Sequence, residues 1–179
     1  MPDTTIRDAV EKLRSIFSKH PEKARAIPSP ATARLVDRLR CEVSGPGGER
    51  ISTDMPAVVG GGGSAPNPGW LMRSALASCS ASAIAIRAST LGISLDFLEV
   101  TVDSDSDNRG WLGLDEQITA GSTAMRTRVK IRADGATQEQ IEELVTWADL
   151  HSPVASTVRK SPAYSLEIQV MKVSPPKES

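Results

Sequence analysis

Hydrophobic positions along this chain change their spacing several times, and each change marks an element. Residues 4–19 place Ile6, Val10, Leu13, Ile16 and Phe17 at helical spacing with charges between them, an amphipathic helix that must dock on something. His20–Pro21 ends it, and PEKARAIPSPATA over 21–33 reads as a linker. Residues 1–33 are therefore expected to be an arm. It either packs on its own subunit or bridges to another. The longest segment of the pattern runs from Pro66 to Ile93. Asn67 suits the N-cap and Pro68 the first helical position. Gly92 suits the left-handed position past the end, where Ile93 can close back onto the last turn. Between these, Leu71, Ala75, Leu76, Cys79, Ala83, Ile84 and Ile86 leave the helix apolar nearly all round, as in a core helix. Small residues from Ser74 to Ala88 let neighbours approach closely from several sides.

Elsewhere the period is two. Over 34–43, Leu35, Leu39, Cys41 and Val43 share one face and Arg38, Arg40 and Glu42 the other, with Asp37 out of pattern, predicting one half-buried strand. GPGG at 45–48 is a turn, and 49–54 returns as the second strand of a hairpin. Residues 55–65, with Pro56 and Gly60–Gly63, read as a flexible loop that lets backbone approach the helix. They lack the Lys-Ser/Thr pair of a phosphate cradle. Residues 95–103 point Leu98, Val100 and Val102 inward. Residues 123–133 point Met125, Val129 and Ile131 inward and Arg126, Arg128, Lys130 and Arg132 outward. If the two strands are neighbours, acidic and basic outer faces meet. Thr137-x-x-Gln140 is a capping box opening a helix to about Leu150, and Ser152–Pro153 starts a short one to about Lys160. Tyr164, Leu166, Ile168 and Val170 predict a final strand, and residues 174–179 a disordered tail. The order is α+β with an antiparallel sheet, the main domain spanning 34–173.

Composition narrows the partners. At 179 residues and a formal charge of −1, the chain makes no electrostatic case for nucleic acid or an anionic membrane. Aromatics at 3% offer no base-stacking platform. The long helix is too short, too rich in serine and interrupted by Arg73 and Arg87, so no membrane span is expected. The N-terminal residues have acids and no apolar signal core, and Cys41 and Cys79 do not make a disulfide framework. A reducing, cytoplasmic setting is expected. No metal or cofactor is expected. Cysteine and histidine are too scattered for zinc, and Asp103-x-Asp105-x-Asp107 has Asn108 where a calcium loop needs glycine and Leu114 where it needs glutamate, leaving an acidic turn.

The loop DMPAVVGG, then PNPGWLMRSALASCSAS, LGISLDFLEVTV and SPVASTVRKSPAYSLEI resemble the OsmC/Ohr family of thiol-dependent organic hydroperoxide reductases. The resemblance covers roughly 34–171. It implies an intertwined homodimer in which antiparallel sheets wrap two long central helices, with active sites between subunits. It also implies an organic hydroperoxide substrate and a thiol reductant. On this resemblance the peroxidatic cysteine is Cys79. The activating arginine falls on Arg50, with Arg38 and Arg40 as alternatives in the same hairpin. The family's second cysteine is Ser152 here, and its glutamate after Asn-Pro is Gly69.

The chemistry makes these departures matter. A thiolate attacks the peroxide oxygen and becomes a sulfenic acid. An ordinary thiol, with a pKa near 8.5, needs help to ionise at neutral pH. Cys79 lies about three turns into its helix, beyond reach of the terminal dipole. Three readings stay open. Cys79 works alone with an external thiol; Cys41 resolves it; or the chain is a catalytically lapsed dimer binding a small apolar or anionic ligand in the inter-subunit cleft. On the residues alone, Cys79 reads as a small hydrophobe filling space, Cys41 as a structural residue, and His151 as a cation suited to a helix end.

Overall fold

The computed structural model describes residues 4–171; the tail expected at 174–179 lies outside them. In chain order the elements are α1 (Thr4–Lys19), β1 (Thr32–Asp37), β2 (Arg40–Ser44), β3 (Arg50–Thr53), α2 (Pro68–Leu91), β4 (Phe97–Ser106), α3 (Asn108–Trp111), β5 (Ser122–Arg132), α4 (Gln138–His151) and α5 (Pro153–Arg159). Helices and two antiparallel sheets, β1-β2-β3 and β4-β5, make the α+β class expected from the pattern.

The caps of α2 form as read. Asn67 accepts from the Trp70 amide, and Gly92 takes φ 75° as the Ile93 amide donates to the Ala88 carbonyl at 2.9 Å. At about 1.5 Å per residue, its 24 residues span about 36 Å. Ile84 and Ala88 of α2 meet Leu144 and Ala148 of α4 in the core, and Leu98, Val100, Val129 and Ile131 of the β4-β5 sheet pack against them. The Thr137–Gln140 capping box that starts α4 is present on both sides.

The outer face of β4-β5 carries the charges. Lys130 Nζ lies 2.8 Å from Glu99, Arg126 bridges Asp103 and Asp105, and Arg128 also reaches Asp103. The strand thus runs past Asp103 to Ser106, so Asp105 belongs to it and not to the acidic turn expected there. A basic strand supplies cross-strand partners that keep the alternation going. The segment 34–43 also differs from expectation. It is two strands, because Arg38 takes φ 46° and turns the chain. Residues 161–171 form no strand. Tyr164, Leu166, Ile168 and Val170 are all more than 70% exposed. The segment is paired with no strand of either sheet among the described residues, so its alternation stays open to solvent.

α1 packs on α2 of its own chain. The Arg7 Nε donates to the Ser89 carbonyl at 2.9 Å, placing a cation at the carbonyl end of α2. Ile6 and Val10 are half-buried there, while Leu13 and Phe17 farther along remain exposed.

Candidate functional site

Cys79 stands half-buried near the middle of α2. Its partner comes from the junction of α4 and α5. Ser152 ends α4 and caps α5 at once, and its hydroxyl accepts weakly from the Ala155 amide at 3.4 Å. The same hydroxyl donates to Cys79 Sγ at 3.2 Å, and Ser152 is wholly buried. Two contacts fix this meeting. Arg87 of α2 lies over Trp147 of α4, and Cys79 lies against Ser152 farther along, so α4 runs back along α2. Among the described residues, Cys79 accepts from no guanidinium.

The other candidates sit on the β1-β2-β3 sheet. Arg50 begins β3 opposite Ser44 and borders a cavity of about 310 Å³ with Pro30, Val43 and Glu49. Arg38 is the turn residue between β1 and β2, and Arg40 reaches Glu42 at 3.4 Å. Cys41 is half-buried between Leu35 and Thr53, and both cysteines are free. Within one chain, then, Ser152 is joined to Cys79, while Arg50, Arg38, Arg40 and Cys41 are not hydrogen-bonded to it.

A second cavity, about 630 Å³, opens at the start of α2 between Met55, Val58, Met72, Arg73, Ser104 and Trp111. Met72 precedes Cys79 by two helical turns on the same face, about 10 Å along the axis. Arg73 donates to the Ser104 hydroxyl at 3.3 Å. A Cβ added at Gly69 would lie 3.8 Å from Arg73 Nη1, so an acid there would face Arg73. In the sequence Arg73 stood out only as a charge inside the helix, not as a site residue. The signal was available: Gly69 and Arg73 are four residues apart, one turn on a helix face.

The wall of this cavity is the glycine-rich loop, and it is not the flexible segment expected. Asp54, 2% exposed, accepts from the amides of Met55 at 2.8 Å, Gly62 at 3.3 Å and Ser64 at 2.9 Å, and from the Ser64 hydroxyl at 2.8 Å. Gly61 packs so tightly on the Met55 carbonyl that a Cβ would overlap it, and Gly63 needs φ +62° to donate back to that carbonyl. The Ser64 amide and hydroxyl, aided by Gly62 and Met55, hold the Asp54 carboxyl down to about 2 against the opposing effect of burial. The folded value is below the ordinary one of 3.8, so folding favours the carboxylate. That contribution is complete above 3.8 and disappears as pH falls through about 2. Asp54→Asn is expected to melt below wild type near neutral pH, with the gap narrowing as pH approaches 2. Melting curves across acid pH check it; a constant gap would mean the carboxylate does not clamp the loop.

The OsmC-like protein family model matches residues 61–167. No curated protein matches by sequence. Among solved structures, an OsmC-like protein from Mycoplasma pneumoniae superposes with a TM-score of 0.65 at 15% identity, covering 76% of this chain and 91% of that one. An organic hydroperoxide resistance protein OsmC from Legionella pneumophila gives 0.53 at 24% identity, covering 76% and 92%. An organic hydroperoxide resistance protein from Elizabethkingia anophelis gives 0.57 at 19%, covering 76% and 91%. At these identities the structural likeness speaks for the fold.

Proposed function

From the premise that this chain belongs to the OsmC-like protein family, we propose that it is a cytoplasmic homodimer that reduces organic hydroperoxides, or senses them, through Cys79 alone. The observation that carries this is the buried Ser152 hydroxyl donating to Cys79 Sγ at 3.2 Å. In the proposed cycle the Cys79 thiolate attacks the distal peroxide oxygen, the O–O bond breaks, and the alkoxide leaves as alcohol after taking a proton. Cys79 becomes a sulfenic acid. Ser152 has no thiol to condense with it, so an external thiol forms the mixed disulfide and releases water. A second thiol then frees Cys79.

Assembly as a dimer is supported by what one chain leaves uncovered. The β1-β2-β3 sheet exposes Leu35, Val36 and Ile51, and residues 164–170 expose an alternating apolar row that pairs with neither sheet. On α2 the stripe Ala75, Ser78, Ser82 and Ile86 is open and mostly small, which suits close approach of a second helix. In such a dimer Arg50, Arg38 or Arg40 of one subunit would serve the thiol of the other.

Trapping sulfenic acid with a dimedone-type probe after cumene hydroperoxide tests the reading. Wild type is expected to label and Cys79→Ser to lose all labelling, while Cys41→Ser labels as wild type does. Equal inertness of wild type and Cys79→Ser would end the enzymatic reading. The cavity beside Arg73 favours a second one, a lapsed enzyme that holds an apolar or anionic ligand without turnover. Ligand retention by Cys79→Ser in an otherwise inert protein would select it.

A further inference from the structure

The cavity between the C-terminal half of α2 and the outer face of α4 is separate from the thiol. It measures about 400 Å³, and its apolar walls are Leu91, Ile93, Leu144 and Trp147. Two charged side chains also line it, Arg87 from α2 and Glu143 from α4. Their surroundings are unusual for charges. The Arg87 guanidinium lies over the Trp147 ring at 4.3 Å, and the other partner stacked on that indole is His151 at 3.8 Å, with the two rings nearly parallel. Trp147 is thus held by rings and cations, and the Arg87 head is oriented before anything binds. Among the described residues, no carboxylate lies within ion-pair distance of Arg87, and its Nε is buried without a hydrogen-bond partner. A buried N–H left unpaired is costly, and native structures leave few. Glu143 likewise has no ion-pair partner among the described residues.

We propose that this cavity binds a small zwitterion with an aliphatic body, an amino-acid-like molecule whose carboxylate meets Arg87 and whose ammonium meets Glu143. The ligand class follows from the pair of charges. A simple anion would gain Arg87 but meet the Glu143 carboxylate on the facing helix. A simple cation would meet the converse. A molecule carrying both charges satisfies both walls, and its carboxylate fits the planar edge of a guanidinium whose face is already covered by the indole. The aliphatic part would lie on Leu91, Ile93 and Leu144. Nothing in this argument uses Cys79, so the site stands or falls apart from the peroxide chemistry.

The experiment titrates the full-length protein with L-norleucine, hexanoate and hexylamine, reading the Trp147 indole N–H signal by NMR and the heat of binding by calorimetry. Norleucine is expected to bind saturably by millimolar concentration, and hexanoate and hexylamine about tenfold or more weakly, as each lacks one charge-assisted contact. Arg87→Gln and Glu143→Gln are each expected to weaken norleucine about tenfold. Cys79→Ser is expected to bind as wild type. Glu143 is exposed, so its variant remains a folded test if Arg87→Gln does not fold. The proposal is overturned if norleucine gives no saturable shift, as when Arg87 and Glu143 simply bridge each other in solution. It is also overturned if hexanoate matches norleucine, or if Glu143→Gln binds norleucine undiminished.

Discussion

Ser152→Cys is expected to give a protein in which peroxide drives a disulfide between the introduced thiol and Cys79. In wild type the Ser152 Oγ and Cys79 Sγ already face each other at 3.2 Å, one buried and one half-buried. A disulfide needs a separation of about 2 Å, and the longer carbon–sulfur bond closes part of the difference. The first step is unchanged: Cys79 takes an oxygen and becomes a sulfenic acid. The introduced thiol then attacks that sulfur, the S–O bond breaks, and water leaves. Non-reducing peptide mapping after stoichiometric peroxide should find the link in nearly every molecule, reversible with dithiothreitol. It should be absent in wild type and in the double variant with Cys79→Ser. Failure of the link in a folded, peroxide-reactive variant would show that the two side chains do not meet in solution as they do here.

The second large effect is on stability. Leu144→Ala is expected to cost about 2–5 kcal/mol, because Leu144 is 1% exposed and sits among Ile84, Ala88 and Ala148. In a chain of this size that lowers the melting temperature by roughly 10 °C. Chemical denaturation should show the loss as a lower midpoint with little change in slope. A cost below about 1 kcal/mol would mean the α2–α4 contact is not tightly packed. The same substitution loosens the helix that carries Ser152, so sulfenic acid formation at Cys79 should slow in parallel.

Much of the fold was legible, for reasons that differ by element. α2 could be read because its signals are local: Asn67, Pro68 and Gly92 act on their own backbone. The capping box of α4 is local for the same reason. β4 and β5 were legible because period-two alternation survives where one face is buried and the other is charged. The misreadings share a cause, which is dependence on distant groups. The turn at Arg38 interrupts an alternation that continues through it. The alternation at 164–170 was sound as a pattern but pairs with neither sheet of the chain. Asp54 looked like an ordinary residue at the end of a hairpin, since all its donors but the Met55 amide lie eight or ten residues away. At the candidate site, Cys79 and Ser152 were each singled out through the family resemblance. Their meeting across 73 positions of sequence was visible only in three dimensions. Arg87 and Trp147 gave no signal at all, because a stack between two helices leaves no mark in either helix's own periodicity.

The loop around Asp54 bears on how this sequence can drift. Four consecutive glycines look like low-complexity filler, a tract that replication slippage could lengthen or shorten freely. Here adjacent letters answer to different requirements: residue 61 to a carbonyl with no room beside it, residue 62 to a carboxylate, residue 63 to a handed backbone. Gain or loss of a single codon would shift each glycine into its neighbour's duty. A stretch that appears poorest in information is therefore among those least free to change its length.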